Sequence, residues 1–337
     1  MAHDPPLLGT PPPLPLFLLA PPGPISLKEE RRERVRSMKF LICYDGKEYS
    51  EQALRFGGKV AKRLDADVSV LYVQPPVSSF NRDELAIAHK KLSEWEIDLP
   101  GVRFLKRAQE ILLELDVVMR NENGEAVERH PLKWGIKGAF ETHYLGYHGQ
   151  NIRLRLREGE VAEEILKEAE ENAYDLVITG SRGHRGLYRF FLGSVAQRVA
   201  QFAPCSVLVA KNIKEDDNVL ICTDGSPGAE KAEHWGLQIA RALGAEVTIL
   251  SVAENEEKEE SARHCTERVQ KLLADFQLSG KQKVRVGRPS EVIIEEAEDH
   301  DIVVLGASRR TGVSRFLLGS VPLKVSAYGL CPVLIVR

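Results

Sequence analysis

The chain of 337 residues is long enough for about two domains of ordinary size, each with its own hydrophobic core. It has 43% hydrophobic and 28% charged residues, as globular proteins do, and its formal net charge of −3 gives no reason to expect a nucleic-acid or membrane partner. Its 5 cysteines show neither CxxC pairs nor metal-ligand spacing, so we expect buried, reduced thiols and a cytoplasmic protein.

Residues 1–37 do not have the pattern of a folded segment. Nine of the first 24 residues are proline. The apolar piece at residues 14–20 is too short to span a bilayer and lacks the basic leading region of a signal peptide. Two interpretations are open: a disordered tail, or sequence upstream of a true translation start at Met38.

From Met38 onward, apolar runs of strand length alternate with helical stripes. Residues 39–44 and 67–73 are predicted strands, and apolar residues between them recur at helical spacing. Strands joined by helix-length connections predict a parallel sheet with right-handed crossovers. The same alternation continues through predicted strands at 152–156, 174–179 and 205–210.

The second half of the chain repeats the first. The strand that ends at Asp45 and the helix after it recur 179 residues later, at Asp224. The stretch from Gly180 to Ser194 recurs 126 residues later, at Gly306 to Ser320. We therefore predict a duplication, with one domain at 38–212 and the other at 213–337.

The two offsets differ by 179 − 126 = 53 residues, so the first half carries additional sequence. We place this insertion at about 100–150, with a hairpin around the turn at 121–124. Two interpretations of its aromatic residues are open: they cover a cleft or bind a partner, or they pack a small local core. These residues are Trp134, Phe140, Tyr144 and Tyr147.

Glycines at the transition from the fourth strand to the next helix indicate an anion site. They let the backbone approach a phosphate closely, and the free N–H groups at the start of the helix favour negative charge. The first copy contains Gly180, Gly183 and Gly193, followed by Ser194. A tight turn without a ligand is the alternative for any single glycine loop.

On these residues the sequence resembles the universal stress protein family in its tandem form. The fingerprint of that family is Gly, two residues, Gly, nine residues, and then Gly followed by Ser or Thr. The resemblance covers nearly everything from Met38 to Arg337 except the insertion. It implies the α/β class, with two tandem Rossmann-like domains of the adenine nucleotide alpha hydrolase-like type. Each would have a five-stranded parallel sheet of order 3-2-1-4-5 with helices on both faces.

The resemblance also implies a bound nucleotide at the carboxyl ends of strands one and four, in line with the general rule for open α/β sheets. The nucleotide would be ATP, or AMP or ADP. Whether Mg²⁺ or Mn²⁺ accompanies its phosphates is left open by the sequence, and no metal-ligating residue is assigned. The residues implied to hold it in the first half are Cys43, Tyr44, Asp45, Val73, Gly180, Arg182, Gly183, Gly193, Ser194 and Val195. A second site would use Asp224, Val252, Gly306, Arg309, Gly319 and Ser320.

The second site is expected to be weakened, because Arg309 stands where the first half has Gly183. If that glycine has a positive φ or touches the ligand, an arginine there costs about 1 kcal/mol or more. The alternative is that Arg309 adds a charge-assisted contact to a phosphate.

The leading hypothesis is a regulatory, ATP-binding stress-response protein whose nucleotide changes the surface offered to a protein partner. No catalytic residue is assigned, since His184 is interpreted as a loop contact. Slow ATP hydrolysis or autophosphorylation is one alternative. The other is a nucleotide-free scaffold whose halves form an internal pseudo-dimer through their fifth strands, with further homodimerisation left open.

Overall fold

A computed structural model describes residues 37–74, 100–134, 140–181, 192–214, 218–307 and 318–337. The predicted N-terminal tail therefore lies outside the described residues. The elements of the first half are β1 (Lys39–Cys43), α1 (Glu48–Arg63), β2 (Asp67–Gln74), α2 (Pro100–Glu114), β3 (Glu128–Trp134), β4 (Phe140–Leu145), β5 (Asn151–Glu158), α3 (Val161–Glu171), β6 (Leu176–Gly180), α4 (Ser194–Phe202) and β7 (Ser206–Ala210). Those of the second half are β8 (Asn218–Cys222), α5 (Pro227–Leu243), β9 (Glu246–Ala253), α6 (Glu259–Asp275), β10 (Gly280–Val286), α7 (Pro289–Glu296), β11 (Ile302–Gly306), α8 (Ser320–Tyr328) and β12 (Val333–Val336).

The strands of the described residues form one sheet of 12 strands, in the order β10-β9-β8-β11-β12-β7-β6-β1-β2-β5-β4-β3. Within each half, five parallel strands follow the order 3-2-1-4-5, so the predicted fold class and strand order are confirmed. β4 and β3 extend the first half beyond β5 as antiparallel strands.

Both faces of the sheet are covered, which is why its central strands are almost wholly apolar. Side chains alternate between the faces: Phe40 and Ile42 of β1 enter one core, whereas Leu41 and Cys43 enter the other. Buried residues of α1, α2, α5 and α6 belong to the first core. Those of α3, α4, α7 and α8 belong to the second.

The two domains meet where β7 pairs with β12 in antiparallel orientation. Leu208 lies opposite Leu334, its own counterpart 126 residues later, and Val207 lies opposite Ile335. Ile335 is the counterpart of Val209, and Val209 in turn lies opposite Val333, the counterpart of Val207. The joint between the domains, formed by β7 and β12, therefore has a local two-fold axis. The fifth strands therefore pair as expected of an internal pseudo-dimer.

Side chains repeat this symmetry across the joint. Arg337 Nη2 donates to the carbonyl of Ala200 near the end of α4, at 2.6 Å. Lys211 Nζ donates to the carbonyl of Ser326 near the end of α8, at 2.7 Å. Both pairs are counterparts at an offset of 126, and each places a cation at the negative end of the other domain's helix.

The predicted insertion at about 100–150 begins with α2, a helix whose packing is repeated in the second domain. α2 packs on β2 and β5, as α6 packs on β9 and β10 in the second domain. Between α2 and β5 lie the 36 residues 115–150, whereas 4 residues, 276–279, connect α6 to β10. We therefore propose that the additional residues on this side begin at Leu115, after a helix that belongs to the repeat.

The predicted hairpin and the aromatic residues of the insertion have different outcomes. The chain turns back at 121–124, with the Val127 N–H donating to the Met119 carbonyl at 2.9 Å and one antiparallel bridge between Arg120 and Ala126, but residues 115–119 do not form a strand, so the predicted hairpin is present only as this turn. Phe140 and Tyr144 are buried in the core of the first domain, whereas Tyr147 is exposed. The side chain of Trp134 lies outside the described set.

Of the described helices, none is both long and apolar enough to cross a membrane.

Candidate functional site

The strand order of the first domain reverses between β1 and β6, which are parallel neighbours. Their carboxyl ends, at Cys43 and Gly180, lie at the same edge of the sheet. The chain leaves β1 for α1 on one face, and after β6 it reaches α4 on the other. A crevice between the two connections is the usual ligand position in such a fold.

Asp45 lies in a tight turn directly after β1. Gly46 has φ +76°, in the left-handed region that favours glycine. The Asp45 carboxylate accepts from the Lys47 N–H at 3.1 Å, and its other oxygen is 3.2 Å from Lys47 Nζ. Because this ion pair is half exposed, it is worth about 1 kcal/mol or less, and a ligand can replace it.

Cys43 and Tyr44 direct their side chains into the two cores. Burial raises the pKa of the Cys43 thiol well above its usual range, and it raises the pKa of Tyr44 to about 12. Both groups therefore stay protonated and unreactive at neutral pH. The backbone at Cys43 and Tyr44 is what remains for contact with a ligand.

Gly180 packs closely against the start of α1. A Cβ at this position would lie 3.0 Å from the carbonyl carbon and oxygen of Tyr49. After Gly180, the Ser181 N–H donates to the Ala210 carbonyl and the Ser181 carbonyl accepts from the Gly193 N–H, at 2.9 and 2.8 Å. The N–H of Gly193 thus already has an acceptor within the protein.

The amino end of α4 has the features that favour an anion. Gly193 is its N-cap, without a side-chain cap, and the first turn carries no acidic residue. The first helical bond runs from the Gln197 N–H to the Gly193 carbonyl at 2.9 Å. The N–H groups of Ser194, Val195 and Ala196 precede it, so they lack a partner within the helix.

Apolar side chains lie on the same face of the sheet as α4. Val73 near the end of β2, Leu192 before α4 and Val195 in its first turn are partly buried against the second core. An apolar surface of this kind is suited to packing against a flat apolar ring of a ligand. The structure therefore places the predicted Val73 and Val195 on one side of the sheet.

The second domain repeats the arrangement, with a change at the amino end of its helix. Gly225 has φ +73°, the Asp224 carboxylate accepts from the Ser226 N–H at 3.0 Å, and α8 begins after the uncapped Gly319. Pro322 stands where α4 has Ala196, at an offset of 126. Since proline has no N–H, α8 begins with one donor fewer. This difference was readable in the sequence.

Comparison with known families decides the relationship. A family model described as the universal stress protein family matches residues 37–211 and again residues 217–337. The chain belongs to this family. The universal stress protein fold is thus present twice, in tandem.

Two curated relatives and one solved structure illustrate the similarity of this tandem universal stress protein. It is 29% identical over 322 residues to one from Mycolicibacterium smegmatis, covering 88% of this chain and 96% of that protein. It is 32% identical over 181 residues to one from Methanocaldococcus jannaschii, covering 53% and 84%. A crystal structure from Archaeoglobus fulgidus matches 90% of this chain and 99% of its own, with TM-score 0.60 at 19% identity, which supports the fold alone.

Three of the predicted site residues lie outside the described residues of this universal stress protein: Arg182, Gly183 and Arg309. The same holds for His184. Within the described ranges, no group of three or more His, Cys, Asp or Glu side chains is placed to hold a metal ion.

Proposed function

We propose that the chain is a regulatory stress-response protein that binds ATP in its first domain and binds nucleotide more weakly in its second. One observation carries the proposal: α4 begins without a cap or an acidic residue, beside the point where the strand order reverses. Three backbone N–H groups and the positive end of the helix are suited there to a phosphate.

Four of the predicted residues then have roles that their surroundings support. The N–H groups of Ser194 and Val195 would hold phosphate oxygens, and the Asp45 carboxylate would accept from ribose hydroxyls once released from Lys47. The Val73 main chain would meet adenine at the apolar side. The ion that accompanies a triphosphate would be coordinated largely by the phosphates themselves.

The second site would be weaker for two reasons that act at different atoms. Pro322 removes a helix N–H donor that Ala196 supplies in the first domain. Arg309 replaces the glycine that the first domain has at position 183. Nucleotide in the first domain alone would make the two ends of the molecule different for a regulatory partner protein.

Ser194→Asp tests the first site, with Ser320→Asp as its counterpart. An acidic residue in the first turn of a helix is favourable for stability, but its charge occupies the place of the phosphate. We expect about one nucleotide per purified chain, and we expect Ser194→Asp to weaken the tighter ATP binding event at least about tenfold. Ser320→Asp should affect only the weaker event.

Calorimetric titration with ATP and extraction of bound nucleotide measure both quantities. A chain that neither carries nucleotide nor binds ATP would contradict the proposal and favour the nucleotide-free scaffold. Two equal sites, each sensitive to its own substitution, would contradict the weakened second domain.

A further inference from the structure

A cavity of about 400 Å³ lies near the amino ends of β2 and β5. This is the edge of the first domain opposite the candidate nucleotide crevice, which lies at the carboxyl ends of β1 and β6 and is called the crossover crevice below. This volume is within the range of small-molecule sites, about 300–1,000 Å³. Its lining combines the end of α1, the connection after α2 and the turn before β5. The lining residues are Lys62, Ala66, Asp116, Val117, Tyr147, His148, Gln150 and Ile152.

Asp65 fixes the wall that the insertion contributes. Its Oδ1 lies 2.6 Å from His148 Nδ1 and accepts from Gln150 Nε2 at 2.9 Å. Asp65 has φ +51°, whereas its counterpart in the second domain is Gly244, with φ +72°. The first domain thus has a carboxylate where the backbone favours glycine, and that carboxylate anchors the turn at 146–150.

The lining has an apolar floor and, at its rim, the Lys62 ammonium group paired with the Asp116 carboxylate. Ala66, Val117 and Ile152 are buried or nearly so, and the Tyr147 side chain is half exposed beside them. Lys62 Nζ donates to the Leu115 carbonyl at 3.1 Å and lies 3.4 Å from the Asp116 carboxylate. An ammonium group has three N–H donors, so one is available beyond these two contacts.

We propose that this cavity is a ligand site for a compact molecule with a flat apolar body and a carboxylate head. The head would accept from Lys62, and the exposed Lys62–Asp116 pair is weak enough to rearrange around it. The body would lie on Val117 and Ile152 against the Tyr147 ring.

Within its described residues, the second domain lacks the walls of this site. Its connection from α6 to β10 has 4 residues, and Gly280 stands at the position of Ile152. Arg241 is the counterpart of Lys62 on the matching helix, so it supplies a control with similar charge and position. The proposal does not depend on nucleotide binding at the crossover.

Three isosteric probes separate the charge of the head from the body: benzoate, benzamide and benzamidine. By ligand-observed NMR with the full chain, benzoate should bind most tightly. Lys62→Met should weaken benzoate about fivefold and leave benzamide unchanged, as expected for one exposed charge contact. Tyr147→Ala should weaken all three about threefold or more. Arg241→Met should change nothing.

Several results would overturn the proposal: no saturable binding by any probe, a preference for benzamidine, or benzoate affinity that Lys62→Met leaves intact. Displacement of benzoate by ATP would also overturn it, because it would place the probe in the crossover crevice. Circular dichroism checks that each variant is folded. We expect both Lys62→Met and Tyr147→Ala to fold, because the two side chains are exposed.

Discussion

The same glycine of the fingerprint makes different contacts in the two domains. A Cβ on Gly306 would lie 2.4 Å from the carbonyl carbon of Gly228, whereas a Cβ on Gly180 would lie 3.0 Å from that of Tyr49. The second domain pairs two glycines, so α5 approaches β11 more closely than α1 approaches β6. A fingerprint glycine therefore serves helix packing as well as any ligand, and the motif alone does not separate the two roles.

Alanine at these positions should show the largest difference between the domains. Gly306→Ala forces a methyl group into backbone atoms and should lower the free energy of unfolding by about 3 kcal/mol. Gly180→Ala, where the neighbours have to move only slightly, should cost about 1 kcal/mol. Urea unfolding of the whole chain measures both. Equal losses would contradict the difference in packing.

The joint between the domains allows a second paired test, with substitutions at the counterparts Arg337 and Lys211. Arg337 donates to three carbonyls, of Ala200, Gln201 and Cys205, and the buried Lys211 donates to the carbonyl of Ser326. Each of Arg337→Met and Lys211→Met should cost about 2 kcal/mol, because each removes a charged donor from carbonyls near the end of a helix. Thermal or urea unfolding measures both losses. A loss below about 0.5 kcal/mol from either substitution would contradict a stabilising cation at that helix end.

Much of the fold could be predicted because the duplication supplies every element of the repeat twice. The strand order follows from the alternation of strands and helices together with the resemblance. The continuous sheet depends instead on β7 meeting β12, and the apolar runs at 206–210 and 333–336 do not say which edge each will meet. The helix at Pro100–Glu114 was within reach, since Val102, Leu105 and Ala108 have helical spacing.

The candidate site was predictable in position but not in its bonding. Asp45, Ser194 and Val195 lie where the strand order predicts. That the Gly193 N–H is taken by the Ser181 carbonyl depends on contact across a loop, which spacing does not reveal. The left-handed Asp65 likewise acquires meaning only when the turn at 146–150 is placed beside it.

The interiors beneath the two aspartates also differ. Glu233 of α5 is fully buried and accepts from the Thr223 hydroxyl and from Arg268 Nη2, both at 2.6 Å. The counterparts of Glu233 and Thr223 in the first domain are Leu54 and Tyr44. A buried charge in the second domain thus replaces an apolar contact in the first, which makes the stability of the second domain dependent on pH.

Glu233→Gln tests this pH dependence of stability, for which we expect the smallest change among the substitutions discussed. Burial raises the pKa of Glu233, although Thr223 and Arg268 lower it in part. A carboxyl whose pKa is raised on folding stabilises the folded state fully below its unfolded pKa of about 4.3, and this contribution is lost as pH rises through the folded pKa. The wild type should therefore gain stability relative to Glu233→Gln when the pH falls from neutral to about 4, by less than the loss at Arg337. Glu230→Gln, which also meets Arg268 but from an exposed position, controls for the ion pair. A wild-type advantage over Glu233→Gln that grows with rising pH would mean that Arg268 stabilises the carboxylate by more than burial costs.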